Sequence, residues 1–393
     1  MSYTETTTTS WFTRIKNALT GIVIGIILIL VSIYFLFWNE GRAIQTYRAL
    51  AEGAGLVVSV DSTGIDAANE GKLVHIEGAV KPNGVAADPD FGISAEGAVA
   101  VEREVEMYQW VEKSESKTEK NLGGSETTTT TYTYVKEWRA GPVDSSDFKE
   151  LGHDNPPFAV EASRTSVDSV NVGAFVVDGR KAANLGDEKA IQLTEADVAR
   201  IGRVVATGKP VKLNQGEAYI GFSATSPQIG DMRVRFKRVD LAEASFVGQQ
   251  KGDTLTAYRA SNGREIFLSS AGRKDADAMF QRAQDENTLI TWLIRAGGLL
   301  GLFIGFKLAT MILSVLGDVV PFIGSIIGGG TTILALIFTL VVGPIVIAIG
   351  WFAYRPLLSV TIIGVGLILA AGFAYLKRKR APAPAPTALG RAA

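Results

Sequence analysis

The residues best suited to chemistry in this chain are few and scattered. His75 and His153 are its only histidines, and neither has acidic neighbours at the spacing a metal would need. His75 alternates with apolar residues and reads as a surface or packed side chain. No cysteine occurs among the 393 residues, which excludes thiolate ligation, disulfides and a cysteine nucleophile. Asp88-Pro89-Asp90 reads as a turn rather than a calcium loop. Gly328–Gly330 has no lysine-serine pair after it and so does not read as a phosphate loop. No nucleophile elbow is present. The pattern points to a protein that is not an enzyme and carries no cofactor or metal. The one constellation that a membrane could use is Lys307 with a carboxylate such as Asp318, buried as a relay or conduction pair in a long, tilted span. The blander reading has Lys307 near a boundary, extending its ammonium to the headgroups.

Lys307 lies in the stretch 289–376, which holds three apolar runs, and a fourth lies near the N-terminus. The first span is expected over 18–38, long enough as a helix to cross a hydrocarbon core of about 30 Å. It ends at Phe37-Trp38-Asn39-Glu40-Gly41-Arg42 without a small-residue cleavage site, so it reads as an uncleaved anchor rather than a signal peptide. The second span is expected over 289–310, with 311–331 left as an interfacial or re-entrant segment broken by Gly317, Pro321 and Gly328–Gly330. The third is expected over 332–352 and the fourth over 357–376. Residues 1–17 are polar and Thr-rich and read as a disordered cytoplasmic N-terminus. The basic, Ala/Pro-rich residues 377–393 read as a cytoplasmic tail.

Arg14 and Lys16 before the first span, and Lys377, Arg378, Lys379 and Arg380 after the last, belong on the cytoplasmic side by the positive-inside rule. Four spans satisfy both clusters, and Trp38, Trp292 and Trp351 then fall at the opposite interface. Gly297, Gly301 and Gly305 recur every four residues, and Gly21 and Gly25 do the same in the first span. Small residues at that interval let helix backbones approach closely in lipid, within the chain or between copies.

The intervening residues 39–288 read as a β-rich domain outside the cytoplasm. From Val99 to Glu112, Val99, Val101, Val105, Met107 and Val111 alternate with Glu102, Glu104, Glu106, Tyr108, Trp110 and Glu112, the pattern of a half-buried strand. Thr127–Trp138 suits its returning partner after a turn at Gly123 and Gly124. Val167–Val177 reads as one strand, and Leu193–Val205 as a short helix capped by Thr194 with Glu195 and Asp197 in its first turn. Asn262-Gly263 marks a hairpin. Glu70–Pro82 laid over Gln215–Pro227 suggests a weak repeat, hence two tandem β-units, over 56–150 and 205–270, each a small barrel or sandwich. A net charge of -1 without a basic stripe argues against nucleic acid.

The junction Phe37-Trp38-Asn39-Glu40-Gly41-Arg42-Ala43, the strands Gly71-Lys72-Leu73-Val74-His75-Ile76 and Val105-Glu106-Met107-Tyr108-Gln109-Trp110-Val111-Glu112, and Tyr354-Arg355-Pro356-Leu357 resemble the LUMA family, transmembrane protein 43, over nearly the whole chain. The resemblance implies a multi-pass α-helical membrane protein with four transmembrane helices and a large extracytoplasmic domain. It also implies a scaffolding or membrane-organising role with self-association. Eukaryotic members reside in the endoplasmic reticulum and inner nuclear membrane and bind emerin and lamins. Lamin binding is not carried over: the lack of cysteine and the economy of the chain suggest a prokaryotic member in a plasma membrane. The partners expected are membrane lipid, further copies of the chain and other membrane proteins. The alternative is a channel or transporter component built on Lys307 and the broken segment 311–331.

Overall fold

The computed structural model describes residues 2–205 and 207–355. The fourth expected span and the basic tail, including Lys377, Arg378, Lys379 and Arg380, lie outside the described residues. The chain divides into two compact units. The first comprises Met1–Leu19, Gln45–Ile290 and Ile312–Gly329, and the second Thr20–Ile44, Thr291–Met311 and, among the described residues, 330–355.

The chain opens with β1 (Ser2–Thr9) and the long helix α1 (Trp11–Leu56), capped by the Ser10 hydroxyl, which accepts from the Thr13 amide. Then come β2 (Leu73–Asn83), the hairpin of β3 (Ala100–Lys120) and β4 (Glu126–Arg139), the short pair β5 (Ser169–Val172) and β6 (Phe175–Asp178), and helix α2 (Glu195–Val204). The strands β7 (Glu217–Ile220), β8 (Met232–Asp240), β9 (Glu243–Lys251) and β10 (Thr254–Thr256) follow. Helices α3 (Ala276–Gly317) and α4 (Pro321–Tyr354) complete the described chain.

In the first unit, five strands close on themselves. β2 pairs with β9, β9 with β10, β10 runs parallel to β6, β6 pairs with β5, and β5 returns to β2. Closure leaves these strands without a free edge. A second sheet runs β1-β4-β3-β8-β7, with Val211–Asn214 beyond β7. The alternation read in the sequence is what seats β3: Val105 lies opposite Val234 and Met107 opposite Met232, all buried. On the other face, Lys237 meets Glu104 at 2.5 Å and Arg235 pairs with Glu106, a cross-strand ladder of opposite charges.

The tandem β-units do not form. β2 and β3, neighbours in the first expected unit, enter different sheets, and so do β8 and β9 in the second. The reason is long-range pairing: Phe246 registers with Ile76, and Val234 with Val105. The expected strand Val167–Val177 splits into β5 and β6 at Gly173, whose φ of 61° makes the turn. The helix predicted near Leu193 is α2, with a full capping box between Thr194 and Asp197. The N-terminus is a strand rather than disordered. Its β-branched threonines suit extended backbone, and β4 supplies a partner from Thr127 to Thr133.

Three helices among the described residues, α1, α3 and α4, are long and apolar enough to cross a membrane, where four spans are expected. α3 starts at an Asp275 cap and runs unbroken to Gly317. The expected stop near Thr310 is absent because Met311–Leu316 holds no helix breaker. The break comes at Gly317 and Asp318, and Pro321 takes the first position of α4, where a missing amide costs nothing. Residues 311–331 are thus the end of one helix and the start of the next, with no re-entrant loop, and Gly328–Gly330 are helical.

Candidate functional site

The two charged residues that the helical unit buries among the described residues, Glu40 and Arg295, meet each other. Glu40 Oε1 accepts from Arg295 Nε at 2.7 Å, and its Oε2 accepts from Arg295 Nη2 at 2.7 Å and from Trp351 Nε1 at 2.9 Å. One carboxylate therefore ties α1, α3 and α4 together, and the fork of the guanidinium matches both of its oxygens. Glu40 is 2% exposed, so its charge is stabilised by these partners rather than by water. One residue earlier, Asn39 donates to the Thr291 carbonyl at 3.1 Å, and Arg42 reaches Asn39 Oδ1 and Thr291 Oγ1 at 3.2 and 2.9 Å. A β-carbon at Gly41 would lie 2.6 Å from the Tyr354 ring. The motif Trp38-Asn39-Glu40-Gly41-Arg42 is thus the fastening of the three helices.

Below it, the helices close on small residues. A β-carbon at Gly25 would stand 2.6 Å from the Gly305 carbonyl oxygen, one at Gly305 would stand 2.7 Å from Ile29 Cγ1, and one at Gly301 would collide with Ser32 Oγ. Gly21 is looser, its β-carbon meeting Met311 Cε at 3.1 Å. Gly297 is not on this seam. Gly298 takes its place, where a β-carbon would lie 2.6 Å from Leu36 Cγ, while a β-carbon at Gly297 meets nothing within 4 Å among the described residues. Leu36, Leu302 and Val346 form the buried apolar core of this unit.

The interface tryptophans and Lys307 have distinct surroundings. Trp38 and Trp292 are exposed, and Trp292 stacks under the Arg295 guanidinium at 4.7 Å from its ring centre. Trp351 is engaged with Glu40. Lys307 Nζ lies 3.0 Å from Thr332 Oγ1. Asp318 is engaged elsewhere, so the Lys307–Asp318 relay pair is not formed.

Asp318 belongs to a second cluster, inside the β-bearing unit. It is fully buried, pairs with Arg14, and accepts from Lys120 Nζ at 2.7 Å. Arg14 also reaches Glu126 at 2.7 Å and the Gly124 carbonyl at 2.6 Å. Trp11 Nε1 donates to the Val315 carbonyl at 2.9 Å, and the Gly123 amide to the Val319 carbonyl at 3.1 Å. The tip of the β3–β4 hairpin is therefore held by the first turn of α1 and by the turn between α3 and α4. Arg14, read in the sequence as a topology signal, is buried here, whereas Lys16 is exposed.

The histidines are packed. His75 bonds Ser59 Oγ at 3.2 Å and the Lys274 carbonyl at 2.8 Å. His153 stacks on Tyr134 at 4.0 Å and meets Trp110 edge-on at 4.6 Å. Burial, with the hydrogen bond to Glu112, pushes the Tyr134 phenol up to about 12. Burial raises Tyr219 likewise, beside Asp231. Asp88 and Asp90 accept from Arg103 at 3.2 and 2.7 Å, which accounts for that acidic turn. Among the described residues no group of three or more His, Asp or Glu side chains could hold a metal.

Sequence reasoning missed both Glu40 and Arg295. The available signal was a cation inside one apolar run and an anion at the end of another, with nothing in one dimension to pair them.

Apolar helices joined by a buried ion pair, on a chain that also folds a closed five-stranded barrel, define an integral membrane protein with a large β-rich domain. The model of the family "Transmembrane protein 43" matches residues 107–356. The chain is 33% identical to mouse transmembrane protein 43 over 88% of its length and 87% of the relative's. It is 32% identical to the human protein over 90% of each chain, and 31% identical to the fruit-fly homologue over 90% of this chain and 92% of that one. The chain belongs to the transmembrane protein 43 family. No solved structure matches it.

Proposed function

We propose that this protein is a non-enzymatic membrane scaffold that self-associates and binds other membrane proteins or lipid through its β-rich domain and helix bundle. The observation that carries this reading is the divided use of small residues. Gly25, Gly301 and Gly305 are consumed in joining α1 to α3, whereas β-carbons at Gly297 and Gly330 would meet nothing within 4 Å among the described residues. Glycine left uncovered on a lipid-facing helix offers another helix a close approach. The setting that goes with this reading is a prokaryotic plasma membrane, with both termini cytoplasmic and the barrel outside.

The test is light scattering of the detergent-solubilised protein together with its Gly297→Leu variant. The wild type is expected to exceed the mass of one chain, and Gly297→Leu to reduce it to one chain with unchanged circular dichroism. A wild type of one-chain mass contradicts the proposal.

A further inference from the structure

Gln250, on β9, is 1% exposed, and its side-chain oxygen Oε1 has no hydrogen-bond partner among the described residues. Its Nε2 donates to the Asp66 carbonyl at 2.8 Å, which holds the amide with that oxygen unmatched. A buried acceptor left unpaired is destabilising, and in a native protein it calls for a donor from elsewhere. Phe246 precedes Gln250 on the same face of β9 and sits in the core with Ile76 and Phe175. Gln250 is thus the polar end of a row that faces into the barrel.

That end of the barrel opens on a pocket of about 600 Å³, where β6 begins and β9 ends. Phe175 and Gln250 line it from the strands, and Asp61, Ile65 and Asp66 from the segment 58–69. The segment bridges the strands. The Val60 amide donates to the His75 carbonyl of β2, the Ser62 carbonyl accepts from Ala174 in the β5–β6 turn, and Asp66 holds Gln250. Barrel mouths are frequent sites of small ligands. The charged side chains that line this one are both carboxylates, with no lysine or arginine among the described residues. Each is oriented by a backbone amide, Asp61 by that of Thr63 at 2.8 Å and Asp66 by that of Ala68 at 2.9 Å. Val58 and Ile65 add exposed apolar surface. Lys81 and Arg273 line a neighbouring pocket of about 500 Å³, together with Glu77.

From these observations we infer that the barrel mouth binds an aliphatic diamine. An ammonium group carries three N–H donors and no acceptor, which complements two carboxylates and an unpaired carbonyl oxygen. One ammonium bonds Gln250 Oε1 and the Asp66 carboxylate, the other meets Asp61, and the hydrocarbon stem lies on Val58 and Ile65. Because Oε1 is closed to water, the first ammonium reaches it as the turn 63–66 shifts aside, and the bonds it makes offset that opening. The inference rests on the β-bearing unit alone and not on self-association.

The test is titration calorimetry of the full chain in nanodiscs of phosphatidylcholine, a lipid without net charge to attract amines. The probes are 1,4-diaminobutane, 1-aminobutane and calcium chloride. Saturable binding of the diamine is expected, roughly tenfold tighter than that of the monoamine, as one additional charged hydrogen bond provides. Asp61→Asn and Gln250→Met should each weaken diamine binding by a similar factor, with unchanged circular dichroism. Asp61 is exposed, so its variant decides the matter even if Gln250→Met does not fold. No heat with the diamine, as a trapped water alone would give, overturns the inference. So does calcium bound in its place, a monoamine bound as tightly, or diamine binding that Asp61→Asn leaves unchanged.

Discussion

Two buried ion-pair clusters lie on the same helix, and they solve different problems. At one, Glu40 joins helix to helix through a two-pronged bond to Arg295 and a third bond from Trp351. At the other, Asp318 joins helix ends to a β-hairpin through Arg14 and Lys120. Glu40 has two partners on two other helices, so its loss leaves a guanidinium buried among apolar side chains. Asp318 binds one buried cation and one that is a third exposed, so part of its network can return to water. The first cluster is a fastening of the fold. The second is a fastening of one element, the hairpin tip, and its loss is expected to free that tip first.

The comparison breaks most visibly at Glu40. Glu40→Ala strands Arg295, and breaking a buried pair in this way costs about 3–5 kcal/mol. The thermal midpoint of the purified protein should fall sharply, and Glu40→Met with Arg295→Met should recover most of the loss. A Glu40→Ala protein melting like the wild type would mean that the pair is not formed. Next in size is Gly305→Leu, which drives a side chain into Ile29 and the Gly25 carbonyl. Overpacking of that kind costs about 1–3 kcal/mol, whereas Gly297→Leu should leave the midpoint unchanged. Equal melting of the two would erase the distinction between a covered and an open glycine face.

Asp318→Asn should speed amide hydrogen exchange at Asn121–Ser125 and spare the helix residues around Glu40. Faster exchange only near Glu40, or no change anywhere, would contradict the division of labour.

The smallest effect concerns Tyr134. Its phenol titrates higher folded than unfolded, so the stability it contributes is complete below about pH 10, the unfolded value. That contribution is lost as pH rises through its folded value of about 12. Tyr134→Phe should flatten that alkaline decline in denaturant midpoints, and an unchanged decline would show that Tyr134 does not cause it.

Much of this architecture was legible in sequence where the signal is local. Alternation through Val101, Val105 and Met107 gave the buried face of β3, Gly123 and Gly124 gave its turn, and Thr194 gave the cap of α2. Barrel closure was not legible, because it depends on β2 meeting β9 across most of the domain, and periodicity carries no partner. The glycine seam was nearly legible. A strict four-residue interval selects Gly297, but helical neighbours recur at three and four, and the face used is Gly298, Gly301 and Gly305. One position is about 100° around a helix, enough to turn a covered glycine into an open one. The alternative pairing of Lys307 with Asp318 rests on both being charges in apolar surroundings, and only three dimensions assign Asp318 to Arg14.

The self-associating scaffold is tested most directly by counting chains in particles excised from native membranes with a polymer, without detergent, for the wild type and for Gly297→Leu. Particles with two or more copies of the wild type, reduced to one by Gly297→Leu, are the expected result. Single copies of the wild type would contradict it.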